Sequence, residues 1–282
     1  MLKILIVEGN TQKTRDLMVA KGSCTQSDLY IRNLHFLKPD IACDVYMAAD
    51  EGAALPEGRD IDFYDGIIWT GSSLNIYQSD PASMRQIDFM KGCFRQKAKI
   101  FGSCWGLQVA VVAAGGEVAE NTKGREIGIA RDIQPTALGR VHPLYHNKAG
   151  PFDAVAVHLD HTVRLPEGAT ILSGNDMSQV QALEIRRGEA IFWGVQYHPE
   201  FDLDYMAELL QKYKRVMVKE GLCPDVAAVD KLSSDYHAAQ NDKNRDDIRR
   251  DYKMEADVLD PCCRLQEISN WLNFVEQGSR RK

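Results

Sequence analysis

Residues 98–116 read AKIFGSCWGLQVAVVAAGG. The run KIFG (99–102) has the length and apolarity of a buried strand. LQVAVVAA (107–114) is apolar on every side, as a helix packed into a sheet is, and Gly115–Gly116 supplies a stop. Between them lies G-S-C-W-G, with Cys104 two places from Gly102 and from Gly106. Strand, tight turn and helix, with glycines on either side, is the order in which G-x-S-x-G displays a serine nucleophile; here a cysteine takes its place. Gly102 and Gly106 lack Cβ atoms and let strand and helix approach closely. Cys104 is thereby expected beyond the carboxyl edge of the sheet, where open α/β sheets bind ligands. The helix N-terminus is expected to favour its thiolate over its thiol.

Working outward, KILIV (3–7), DVYMAAD (44–50) and DGIIWTG (65–71) read as further strands, and SDLYIRNLHFL (27–37) as a helix between the first two. Strands alternating with helices predict an open, mostly parallel central sheet flanked by helices, an α/β architecture of flavodoxin-like form. From 126 to 195 the segments EIGIARDI, AVAVHL, TILSGN, VQALEI and AIFWGVQ are short and separated by turns, which predicts a small antiparallel extension. DLDYMAELLQKYKRVMV (202–218) is amphipathic, with Leu203, Met206, Leu210, Tyr213 and Met217 at helical spacing. KEGLCPD (219–225) reads as a linker. The expected division is therefore a main domain over 1–218 and a helical C-terminal extension over 219–282. In that extension Leu265, Ile268, Leu272 and Val275 share one face, which needs a partner in the main domain or in a second copy of the chain.

The 282 residues carry 44% hydrophobic content and a net charge of −6 without a clustered basic face, which argues against nucleic acid as a partner. MLKILIVEGN has too short an apolar run for a signal peptide, and no later stretch has the length to span a bilayer. Seven irregularly spaced cysteines suit a reduced cytoplasm. There is no C-x-x-C, and Cys262 and Cys263 are adjacent, so neither a metal nor another cofactor is expected.

A second motif completes the first. GVQYHPE (194–200) follows the strand-like AIFW and places His198 at a strand end, then a proline, then Glu200. Thiol chemistry on an amide needs a base that takes the thiol proton and returns it to the leaving amine. A carboxylate that fixes the imidazole tautomer helps it.

Together FGSCWGLQ and GVQYHPE resemble the class I glutamine amidotransferases, most nearly the glutaminase domain of GMP synthetase. The likeness spans roughly residues 1–200. TGSS (70–73) stands where the family has its glycine-rich oxyanion turn, AAGGEV (113–118) at the end of the following helix and KGREIGIA (123–130) beyond it. AVHLDHTVRLPEGATILS (156–173) resembles the family's H-x-D-x-V segment. The resemblance implies Cys104 as nucleophile, His198 as general base and then acid, and Glu200 as its orienting residue. It implies an oxyanion hole from the backbone N–H groups of Gly71, Ser72 and Trp105. Gln108, His158 and Asp160 would line the substrate pocket. Two departures stand out: Ser72 replaces the usual second glycine of the oxyanion turn, and GNTQKTRDLMVAKGSCTQ (9–26) makes a long first loop at the carboxyl edge.

The implied reaction releases ammonia and glutamate from glutamine through a γ-glutamyl thioester. No G-x-x-x-x-G-K-[ST] or S-G-G-x-D-S loop is present to activate an acceptor. Ammonia would then pass to a separate synthetase subunit. The alternatives are a stand-alone hydrolase of another γ-glutamyl amide and, against the intact Cys104, His198 and Glu200 set, a non-catalytic regulatory relative.

Overall fold

The computed structural model describes residues 1–148, 150–242 and 244–279. Eleven strands form a nine-stranded sheet and a two-stranded one. The large sheet begins with β1 (Lys3–Val7), β2 (Ala42–Tyr46), β3 (Gly66–Trp69) and β4 (Lys99–Ser103), as the apolar runs predict, except that β2 starts before DVYMAAD and ends at Tyr46, where residues 47–50 turn away. The chain then forms β5 (Glu117–Glu120), β6 (Glu126–Pro135), β7 (Phe152–His158), β8 (Asp160–Arg164), β9 (Ala169–Gly174), β10 (Ala182–Arg187) and β11 (Ala190–Val195). The spatial order is β2-β1-β3-β4-β11-β10-β9-β6-β7, with β5 and β8 paired separately. β2, β1, β3, β4 and β11 run parallel, while β10, β9, β6 and β7 continue the same sheet antiparallel.

The placement of β11 brings two distant motifs to one edge of the sheet. Its sequence neighbours are antiparallel strands, yet it inserts beside β4 in parallel, with Val195 opposite Ser103. The carboxyl ends of β4 and β11 therefore lie side by side, and the residues after each strand meet there.

Successive residues of β1 are buried on opposite faces, which explains its uninterrupted apolar run. Ile4 and Ile6, with Ile68, Phe101 and Trp193, pack under α2 (Gln26–Leu37) and α10 (Gln266–Ser279). Leu5 and Val7, with Ile67, Trp69 and Ile100, pack under α3 (Pro81–Phe94) and α4 (Trp105–Ala113). Two of these helices start where side-chain caps satisfy their free N–H groups: Thr25 and Asp28 form a capping box on α2, and Asp80 caps α3 ahead of Pro81.

The first loop is not a loop. Residues Gln12–Ala20 form a helix, α1, whose Thr11 side chain accepts the Thr14 N–H. Its apolar positions are too sparse to show a helical stripe, and none of its residues is buried. A third apolar cluster joins α5 (Leu203–Lys219) to α6 (Val226–Asn241). The short helices α7 (Asp246–Asp251), α8 (Ala256–Leu259) and α9 (Pro261–Arg264) then lead the chain back to the sheet. The α10 face carrying Ile268, Leu272 and Val275, with Leu265 just before it, is taken up by the chain's own core, together with Trp271. Among the described residues no helix is long and apolar enough to cross a membrane.

Candidate active site

Cys104 occupies the turn between β4 and α4 with φ 46° and ψ −96°, a conformation that L-residues avoid at about 1–3 kcal/mol. Two backbone hydrogen bonds hold it: its N–H donates to Val195 O (2.7 Å), and its carbonyl accepts the Gln108 N–H (3.1 Å). The turn needs its glycines. A Cβ on Gly106 would lie 2.8 Å from Trp69 O, and one on Gly102 would lie 2.9 Å from the Gly106 carbonyl carbon.

The thiol is 6% exposed, and its sulfur lies 3.7 Å from Val157 O. Burial pushes its pKa up to about 12, helped by the negative charges of Glu200 and Asp160. The Trp105 N–H acts in the direction expected of a helix N-terminus and lowers it, but is outweighed. The helix end thus acts in the expected direction, but burial and the two carboxylates outweigh it and favour the neutral thiol.

His198 follows β11 and lies in a stacked arrangement on Phe201, ring centroids 3.9 Å apart and planes 5° from parallel. Its Nδ1 lies 2.7 Å from Glu200 Oε1. A carboxylate can only accept, so this pairing sets a ring proton on Nδ1; in the neutral tautomer that leaves Nε2 as the acceptor. Nε2 is buried and has no hydrogen-bond partner among the described residues. Glu200, fully buried, is held in turn: the Ser103 hydroxyl donates to the same Oε1 (2.7 Å), and the Tyr30 hydroxyl donates to Ser103 Oγ (2.8 Å). Burial and the nearby Glu200 charge hold Tyr30 well above its ordinary pKa, so it remains a donor. Ser103 stands inside the turn motif, yet nothing in the sequence assigns it a role. Tyr30 carries no signal beyond its place in an amphipathic helix.

The turn 70–73 lies against this pair. A Cβ on Gly71 would be 2.8 Å from His198 Cε1 and 2.8 Å from Gln26 Oε1, so only glycine fits there. Asn10 Oδ1 accepts the Ser73 N–H (3.1 Å) and the Ser72 hydroxyl (3.4 Å), while Ser72 Oγ accepts the Leu74 N–H (3.1 Å). The serine in the glycine's place therefore braces the turn. Gln86, which the sequence does not mark, accepts the indole N–H of both Trp69 (3.1 Å) and Trp105 (2.9 Å) and donates to Gly9 O (3.0 Å). It ties the ends of β1 and β3 to the first turn of α4.

Gln108, His158 and Asp160 form a neighbouring cluster. Asp160 O accepts from Gln108 Nε2 (3.4 Å) and lies 3.1 Å from His158 Nδ1, and His158 Nε2 lies 2.8 Å from Glu126 Oε2. Both nitrogens of His158 therefore have protein partners. The Asp160 carboxylate receives the Tyr77 hydroxyl (3.1 Å) and the Asn75 amide (3.3 Å). Burial raises its pKa against the lowering effect of the Tyr77 bond, with the Glu120 charge adding to the rise.

Cys104, His198 and Ser72 open on one cavity of about 540 Å³. Its walls are α1 and α5, which contribute Leu17 and Met18 on one side and Tyr205 and Leu209 on the other.

The model of the family described as glutamine amidotransferase class-I matches residues 59–213. The chain belongs to the class-I glutamine amidotransferase family. Among curated relatives of the family, γ-glutamyl-L-1-hydroxyisopropylamide hydrolase of Pseudomonas sp is 36% identical over 244 residues, covering 85% of this chain and 79% of that protein. A glutamine-hydrolyzing GMP synthase subunit of Methanocaldococcus jannaschii is 32% identical over 121 residues, covering 43% of this chain and 61% of the other. Among solved structures, a glutamine amidotransferase from Thermotoga maritima superposes with a TM-score of 0.61 at 14% identity, over 97% of each chain; that likeness concerns the fold.

Proposed function

We propose that this chain is a cysteine-dependent hydrolase of a γ-glutamyl amide that works without an acceptor subunit. The observation that supports this most is the cavity: Cys104 and the unpaired Nε2 of His198 belong to a site whose chamber of about 540 Å³ continues between α1 and α5. That volume is in the range occupied by drug-sized ligands, far beyond what an ammonia leaving group needs. The relative covering most of this chain is likewise a hydrolase of a substituted γ-glutamyl amide.

In this reading the Cys104 thiol gives its proton to His198 Nε2, and the sulfur attacks the amide carbon. The N–H groups of Gly71, Ser72 and Trp105 stabilise the oxyanion, each donor being worth about 3 kcal/mol. The imidazolium, oriented by Glu200, then protonates the amide nitrogen as the C–N bond breaks and the amine leaves. A water gives a proton to His198 and attacks the thioester, releasing glutamate and restoring the thiol. Gln108, His158 and Asp160, expected from the sequence to line the pocket, are not among the residues lining the chamber, and in this reading they brace one another through the Asp160 carbonyl.

The test is to purify the chain alone and measure glutamate and amine released from glutamine and from a panel of γ-glutamyl amides. Turnover of substituted amides at full rate without a partner is expected. A second reading, a glutaminase that feeds ammonia to a synthetase, draws on the similarity to the Methanocaldococcus jannaschii GMP synthase component. It would be favoured by activity confined to glutamine and stimulated by a captured partner.

A further inference from the structure

The carbonyls of His198, Pro199 and Glu200 are each held, and by different parts of the chain. His198 O accepts the Phe201 N–H (3.2 Å), Glu200 O accepts the Asn33 amide on α2 (2.9 Å), and Pro199 O accepts Nη1 of Arg264 on α9 (2.6 Å). The His198 N–H donates to Val155 O (2.8 Å). Proline fixes its own φ and restricts the residue before it, so the freedom left in this turn is rotation of the peptide joining Pro199 to Glu200. Among the described residues that peptide is held by the bond to Arg264.

Arg264 comes from the C-terminal extension and is 7% exposed. Its backbone is fixed: its N–H donates to Asp260 O (2.8 Å), and Leu265, the next residue, is fully buried in the core. Taking a guanidinium out of water is costly, and Arg264 forms no ion pair among the described residues. Of the carboxylates around it, Asp202 on α5 pairs with Arg32 (3.3 Å), while Glu200 Oε2 has no hydrogen-bond partner. Burial lowers the Arg264 pKa, and the negative charges of Asp202 and Glu200 act against that. A buried cation thus stands one peptide away from the buried anion that orients His198.

We propose that Arg264 is a positioning residue for the His198–Glu200 pair: it locks the Pro199–Glu200 peptide, and with it the angle at which Glu200 holds the imidazole. The C-terminal extension is then part of the active site. The inference rests on the roles given to His198 and Glu200 in the hydrolase reading.

The test uses the full chain carrying Arg264→Met, Arg264→Gln or Arg264→Lys. It reads kcat and KM on glutamine and on γ-glutamyl-p-nitroanilide, and the downfield proton resonance of His198 Nδ1–H, which His198→Asn identifies by its loss. Arg264→Met should lower kcat per folded molecule by about 10- to 100-fold, the scale of a small misplacement of a reacting group, with KM within about twofold of the wild type. The Nδ1–H resonance should shift or broaden. Arg264→Lys keeps a charged donor and should recover kcat to within about fivefold, together with the resonance. Should Arg264→Met not fold, Arg264→Gln, too short to reach Pro199 yet polar, carries the same expectation. A folded variant with normal kcat and an unmoved resonance overturns the inference, whether or not it has lost stability. So does an Arg264→Lys protein no better than Arg264→Met. The resonance needs no substrate: if the wild type cleaves neither amide, the hydrolase reading fails while the resonance still decides Arg264.

Discussion

Glu200 and Glu267 are both fully buried, yet their surroundings differ. Glu267, on α10, has every oxygen matched: Lys148 Nζ bridges both (2.8 and 3.0 Å), and the Tyr197 hydroxyl donates to Oε1 (2.6 Å). The network continues through the Tyr145 hydroxyl to Ser173 without an open valence. Glu200 is different. Oε1 receives both Ser103 and His198, but Oε2 is buried without a partner, and so is Nε2 of the histidine it orients. Buried polar groups are nearly always satisfied, so the network that closes on itself holds the structure together, whereas the open one fits the reactive role proposed for it above. The first pins the C-terminal helix across the sheet; the second faces a cavity.

That contrast breaks most directly at the nucleophile. Cys104→Ala should abolish amide cleavage, by at least about four orders of magnitude in kcat/KM, while leaving the thermal unfolding midpoint near the wild-type value. Retained turnover would remove Cys104 from the mechanism. His198→Asn should reduce kcat by about 10²–10⁴, the scale for losing a positioned acid–base group. A kcat equal to the wild type's would mean that the open valence at Nε2 has no chemical meaning.

The closed network predicts the reverse pattern. Glu267→Leu leaves the Lys148 ammonium, 9% exposed, without its counter-ion, a loss of about 3–5 kcal/mol. Urea unfolding should show that loss, while kcat per folded molecule stays close to normal. A variant with full stability and impaired kcat would erase the distinction between the two clusters.

The same contrast explains what the sequence can and cannot disclose. The strands announce themselves because residues such as Ile4 and Leu5 are buried on opposite faces, and the Cys104 turn because sterics demand glycine on either side of it. Cys104, His198 and Glu200 stand in short contiguous motifs, and the structure does bring them together, through the insertion of β11 beside β4. Nothing local in AIFWGVQ announces that pairing, since parallel partnership is a property of the whole sheet. Tyr30, Gln86 and Gln26 are invisible for a related reason: each acts on residues at least 17 positions away, from a helix face whose spacing reads only as packing. α1 escapes notice because a helix with no buried residue leaves no periodic apolar stripe. The C-terminal face is legible as apolar but not as to its owner, which is the chain's own sheet.

The smallest effect probes the resting state of the site. Burial first, then Glu200 and Asp160, hold the Cys104 pKa at about 12, whereas an unfolded cysteine titrates near about 8.5. Between these values the folded protein keeps a proton that the unfolded chain has lost, which favours unfolding, so stability is greatest below about pH 8.5 and declines as pH rises towards 12, by at most about 1.4 kcal/mol per pH unit. Cys93, buried and pushed up to about 12, falls in the same window, so the informative quantity is a difference between proteins. Between pH 8.5 and 10 the wild type should differ from Cys104→Ala by up to about 2 kcal/mol in how its unfolding free energy changes, the thiol making the folded state progressively dearer to leave protonated while the unfolded chain ionises. Parallel pH slopes would mean that the resting thiol has already passed its proton to His198. The open network would then hold an ion pair before substrate arrives, and His198 would serve from the outset as the acid rather than the base.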